Sequence, residues 1–217
     1  MDNWLITMLA TLPAIIIGIS FHEYAHAKMA IKLGDPTPKM QGRDTLSPLS
    51  HIDPIGFICL LIAHFGWGRP VQIDPRYFKN PLKGQMIVSL AGPVMNLIIA
   101  FVSLLIWNIV GITGVLTTLS ATAAFAIDTI LQYMVIINIS LFIFNLLPLP
   151  NFDGSKILLY FVPDKWKVHM LNIEKYGFLI FLIIVLTPIP QYVITPILNG
   201  ILTGMQYIIA VPLSIFS

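Results

Sequence analysis

Residues 4–21 carry no charged side chain, and then His22, Glu23 and His26 arrive within one helical turn. No other feature of the chain constrains its fold as much. An uncharged run of that length reads as a helix suited to lipid, and ionisable groups set into such a segment are costly and mark function. Helical positions four apart share a face, so His22 and His26 can grip one metal ion, with Glu23 beside them.

Composition extends this to the whole chain. Of 217 residues, 57% are hydrophobic and 10% charged, against about 25% charged in soluble domains. The expectation is an all-α polytopic membrane protein, one integral-membrane domain over 1–217. Its core lies at about 4–156, with C-terminal helices at about 172–214, and no room is left for a separate soluble domain of about 100 residues. Met1-Asp2-Asn3-Trp4 lacks a basic leader and no small-x-small site follows, so the first apolar run is read as a retained helix. The lone cysteine, Cys59, reads as a packing residue.

A span needs about 20 apolar residues, which places spans near 4–28, 86–110, 121–147, 172–188 and 191–214. The uncharged stretch 54–68 is short and Gly-rich, and reads as a re-entrant or tucked hairpin, or a short tilted helix. With it the count is five or six membrane segments. All twelve Lys and Arg fall into three clusters: Lys28, Lys32, Lys39 and Arg43; Arg69, Arg76, Lys79 and Lys83; Lys156, Lys165, Lys167 and Lys175. The positive-inside rule makes all three cytoplasmic, and the first two share a side only if 54–68 does not cross. The loops 34–50 and 69–84 are rich in Pro, Gly and Asp. Residues 69–74 read as a short strand ended by Pro75, and such β-like pieces near the cytoplasmic face could pair with each other or with a peptide.

A catalytic zinc usually takes three protein ligands and keeps one open position. His22 and His26 supply two, and Asp153 is the acid in a comparable setting. If the first helix enters from outside at Trp4, His22 lies about 27 Å down at 1.5 Å per residue; the helix from Asp128 to Leu147 descends about 28 Å from the same side. Pro148 and Pro150 then unwind the backbone before Asp153, and Gly154 allows a close approach. The competing role for Asp153 is a helix cap, with Lys156 nearby. His51 either lines a water or proton route or anchors a turn. His64 reads as a core or interface histidine and His169 as a solvated one. In Ser89-Leu90-Ala91-Gly92-Pro93-Val94-Met95-Asn96 the small residues let helices approach closely. Asn96 seeks a partner near the site or bonds another helix. Asn145 either donates to a substrate carbonyl, steadies the unwound loop, or bonds a neighbouring helix. Trp4, Trp166 and Tyr176 read as interface anchors.

Together, His22-Glu23-Tyr24-Ala25-His26, Ser89-Leu90-Ala91-Gly92-Pro93 with Asn96, and Asn145-Leu146-Leu147-Pro148 followed by Asp153-Gly154 resemble the site-2 protease family of intramembrane zinc metalloproteases. The resemblance covers about 13–156. It implies one zinc per chain on His22, His26 and Asp153, with Glu23 as general base and acid and Asn145 positioning substrate. The family's usual Leu-Asp-Gly reads Phe152-Asp153-Gly154 here. The PDZ insert and CBS pair of many relatives are not seen in the sequence.

The expected function is hydrolysis of peptide bonds in or beside membrane segments of other proteins, from a cytoplasm-side site in the prokaryotic cytoplasmic membrane. The expected partners are a transmembrane protein or peptide substrate and the lipid bilayer, with no nucleic acid. A membrane metal transporter would instead spread its ligands over several depths and show inverted repeats. A non-catalytic scaffold has no use for Glu23.

Overall fold

The computed structural model describes residues 3–63 and 66–213, and these are mostly helical. His64 and the side chain of Trp4 lie outside the described parts. The helices are α1 (Asn3–Lys32), α2 (Thr37–Met40), α3 (Pro54–Ala63), α4 (Pro81–Thr113), α5 (Ala121–Leu146), α6 (Asp153–Phe161), α7 (Asp164–Glu174), α8 (Gly177–Leu186) and α9 (Ile189–Leu213). Local chemistry sets the ends of the long ones. Asn80 Oδ1 accepts the Lys83 N–H at 3.1 Å and Pro81 opens α4, satisfying a donor the helix start would leave bare. Gly114, with φ 63°, closes it in the left-handed region that glycine adopts freely. Ser120 caps α5 through the Ala123 N–H, and the helix stops at Leu146, just before Pro148.

Helices α1, α4 and α5 pack on one another. Ala100 and Leu104 of α4 meet Val135, Ile139 and Ile143 of α5, and Ile194, Met205 and Ile209 of α9 complete this core. Small residues set the spacing: a Cβ on Gly18 would come within 2.8 Å of Leu141 Cδ1. A second cluster of Ala30, Phe78 and Val88 pins the loop before α4 onto α1 and α4.

Among the described residues, three helices are long and apolar enough to cross a membrane: Pro81–Thr113, Ala121–Leu146 and Gln191–Ile209. The expected continuous span over 172–188 is instead broken. Helix α7 ends at Glu174, and α8 has only 10 residues, about 15 Å against a core of about 30 Å. The break falls at Lys175-Tyr176, and Gly177 is pressed against Asn151, where a Cβ would collide.

Residues 54–68 leave and return at one place. Ile52 and Gly68 form an antiparallel bridge, and the Arg69 N–H donates to the His51 carbonyl at 2.7 Å. Gly56 of α3 sits against Trp67, so the returning chain lies directly on the helix. The expected strand at 69–74 is not a regular strand. That piece has no regular secondary structure, with Asp74 at its end extended, and among the described residues the Ile52–Gly68 bridge is its nearest β pairing. Two of its donors are used elsewhere and a third position has none. Pro70 has no N–H, Val71 donates to Glu23 Oε2 at 2.8 Å, and Asp74 donates to Asp35 Oδ2 at 2.7 Å.

Candidate active site

His22 and His26 lie one turn apart on α1, with rings edge to face and centroids 4.5 Å apart. Each ring is oriented through Nδ1. His22 Nδ1 lies 2.7 Å from Asn96 Oδ1, and His26 Nδ1 lies 2.7 Å from the Val88 carbonyl oxygen. A carbonyl oxygen only accepts, so His26 Nδ1 carries the proton. Asn96 Nδ2 is already committed to the Gly18 carbonyl and to Asn138 Oδ1, both at 3.0 Å. Its Oδ1 therefore faces His22, whose Nδ1 is the donor. Asn138 in turn donates to the Met134 carbonyl. One buried chain of hydrogen bonds thus ties α1, α4 and α5 together behind the histidines.

With both protons on Nδ1, both Nε2 atoms present lone pairs. They face each other at 2.9 Å, and Asp153 Oδ2 lies 3.1 Å from each. Three buried acceptors pointed at one spot repel one another unless a cation sits among them. Tetrahedral zinc with ligand bonds of about 2.0–2.1 Å would hold its ligand atoms about 3.3 Å apart. The observed triangle is a few tenths of an ångström tighter, and these are the residues that could hold a metal ion. Asp153 is the first residue of α6 and its Oδ2 faces the histidines, so the unwound 147–152 segment serves to deliver it. In that segment Asn151 takes φ 70°, a left-handed turn that asparagine tolerates.

Gly92 of α4 explains the small residues in the Ser-Leu-Ala-Gly-Pro run. A Cβ there would collide with Nε2 of both His22 and His26. Pro93 has no N–H for the Ser89 carbonyl, and the neighbouring Val88 carbonyl is the one that accepts from His26.

The site opens into a cavity of about 80 Å³ lined by His22, Glu23, His26, Asn145, Asp153 and Lys156, among others. Glu23 faces it with one carboxylate oxygen held by Val71. Asn145 reaches it too, while its Nδ2 donates to the Leu141 carbonyl at 3.0 Å. His51 is not brought there. It is fully buried, with Nε2–H donating to the Thr45 carbonyl at 2.7 Å, and it holds the turn that the bridge closes. Asn96 contacts His22 rather than the cavity.

The sequence alone does not single out Asn138 or Asp35, nor place Lys156 at the cavity. Asn138 gave no local sign beyond being a polar residue in an apolar helix. Lys156 lies three positions after Asp153, a spacing that shares a helix face. Asp35, fully buried, accepts from Thr37 N–H at 2.8 Å and from Asp74 N–H, and so fixes the far end of the 69–74 segment that holds Glu23.

Comparison with known proteins agrees with this geometry. The chain is 41% identical over 206 residues to "Putative zinc metalloprotease YwhC" of Bacillus subtilis, covering 92% of each chain. It is similar to two mycobacterial proteins, both named "Putative zinc metalloprotease Rip2". The Mycolicibacterium smegmatis protein is 29% identical over 80% of this chain and 65% of its own length. The Mycobacterium tuberculosis H37Rv protein is 26% identical over 88% of this chain and 69% of its own. No solved structure matches. The model of peptidase family M50 matches residues 10–187, and the chain belongs to that family, the site-2 protease family of zinc metalloproteases.

Proposed function

We propose that this metalloprotease cuts peptide bonds within or next to membrane segments of other proteins, with its site on the cytoplasmic side of a multi-pass fold. The observation that carries the reading is the convergence of two bare Nε2 atoms and Asp153 Oδ2 beside Glu23, in a chain whose neighbouring helices are of membrane length. In this reading His22, His26 and Asp153 hold zinc, which when bound supplies Lewis-acid chemistry to a peptide carbonyl and to water. Glu23 takes a proton on its carboxylate and returns one to the leaving amine. Asn145 donates to the substrate backbone, and Asn96 orients His22.

A cytoplasmic site is supported by the basic residues around it: Lys28 follows on α1 and Lys156 lines the cavity. The side-by-side ends of 54–68 support a re-entrant hairpin, since both flanking basic clusters can then share one face. A cavity of about 80 Å³ has no space for a helix, which is about 10 Å across with its side chains. The substrate therefore enters unwound. Among the described residues the Gln72 N–H has no partner, which suits addition of an extended peptide along 69–74.

The test is incubation of purified protein with a panel of single-span peptides, followed by mass spectrometry of the products, with and without a chelator. Defined cuts in or beside the apolar segment, lost on chelation and restored by zinc, are expected. Cutting only of soluble peptides, or cutting that survives complete metal removal, would overturn the reading.

A further inference from the structure

Beside the candidate active site is a second cavity, of about 460 Å³, lined by Gln41, Arg43, Arg69, Pro70 and Gln72. Pro70 is a wall of both. Arg43 is only 7% exposed, yet its Nη1 has no hydrogen-bond partner. Asp44, its neighbour in sequence, is paired with Lys28 at 2.6 Å. Among the described residues neither Arg43 nor Arg69 has a carboxylate partner. Burial, with the like charge of Arg69 added, pushes the Arg43 guanidinium below its ordinary range, and Glu23 opposes this only partly.

A buried guanidinium with an idle donor, facing a second one across a cavity, is suited to hold an anion. Arg69 and Gln72 belong to the 69–74 segment, whose Val71 N–H holds Glu23. A strand advances about 3.3 Å per residue, so the cavity is about two or three residues from the reacting bond along a peptide laid on that segment.

We propose that Arg43 and Arg69 form a carboxylate-binding subsite, which selects substrates bearing an acidic group two or three residues from the scissile bond. This rests on the protease reading above and names part of its substrate preference. The carboxylate can come from an Asp or Glu side chain or from a peptide C-terminus, and fork-shaped guanidinium groups suit either.

The experiment moves a single Glu through each position flanking the cut of one cleaved peptide, with a second series truncated so that the C-terminus falls at those positions. The expected result is a peak of kcat/KM at one position, at least about tenfold over Gln there, in the Glu series, the truncated series or both. R43Q and the exposed-site variant R69Q should flatten that ratio, and R69E should favour Lys at the same position. K79Q, outside the cavity, should keep the ratio. Equal cleavage wherever the Glu stands would overturn the subsite while leaving the protease reading intact. So would a response to phosphatidylglycerol vesicles with none to peptide charge. Absence of any cleavage, neutral peptides included, would overturn the protease reading itself.

Discussion

Asn96 Oδ1 accepts the Nδ1 proton of His22 at 2.7 Å, so the tautomer of a histidine on one helix is set by an amide from another. The amide is itself held by Gly18 and Asn138. Partners of this kind typically govern metal affinity by about 10–100-fold. N96A should weaken zinc affinity by about that factor, and N138A by less, because it acts through Asn96. Competition titration against a zinc chelator checks both, and unchanged affinity in N96A would show that α1 alone orients His22.

Gly92 should not accept a methyl group. In G92A the Cβ meets both Nε2 atoms, so either α4 moves or the histidines rotate. Zinc content should fall well below one equivalent while the helical circular dichroism is kept. Full zinc loading in G92A would mean that the helices separate more easily than their packing implies.

Asp35 lies outside the candidate metal site but anchors the segment that holds Glu23. D35A would leave the Asp74 and Thr37 N–H groups without their acceptor, a loss of about 1–3 kcal/mol. Expected are a lower unfolding temperature and slower cleavage at unchanged zinc content. Cleavage at the normal rate would separate the 69–74 segment from catalysis.

Substrate unwinding gives a prediction of its own. Gly, Pro, Asn or Ser near the scissile bond weaken a helix by about 0.5–3 kcal/mol each. Replacing them with Leu should slow cleavage, with less effect deep in the outer half of the segment. Equal rates for all-Leu and Gly-containing spans at equal binding would count against entry of an extended substrate.

What could be read from the chain divides by the range of the interaction. The His22–His26 pairing follows from helical spacing alone. Asp153 could be paired with them by depth, because membrane helices convert residue number into distance. The unwound approach to Asp153 followed from Pro148 and Pro150. The 69–74 segment reads as a strand because local β preference cannot reveal that two of its donors go to Glu23 on α1 and to Asp35 in the loop after it. Asn138, Asp35 and the pocket around Arg43 depend on how helices and loops face each other in space. No spacing rule reaches that far. The role of Asn96 was half legible: its need for a partner was plain, but not that the partner is His22. The break in 172–188 at Lys175-Tyr176 is not legible as a break because Gly177, which follows it, is held against Asn151, a residue distant in sequence.

In the proposed mechanism zinc binding and proton transfer belong to different residues, and E23Q separates them. Gln keeps the size of Glu and can still accept from Val71, but it is not a base. Elemental analysis and intact-peptide mass spectrometry on the same E23Q sample should give about one zinc per chain, as the proposed ligands His22, His26 and Asp153 imply. Cleavage should be at least about 100-fold slower than in the unsubstituted protein. Cleavage at the unsubstituted rate, with zinc in place, would contradict the assignment of Glu23 and the mechanism built on it.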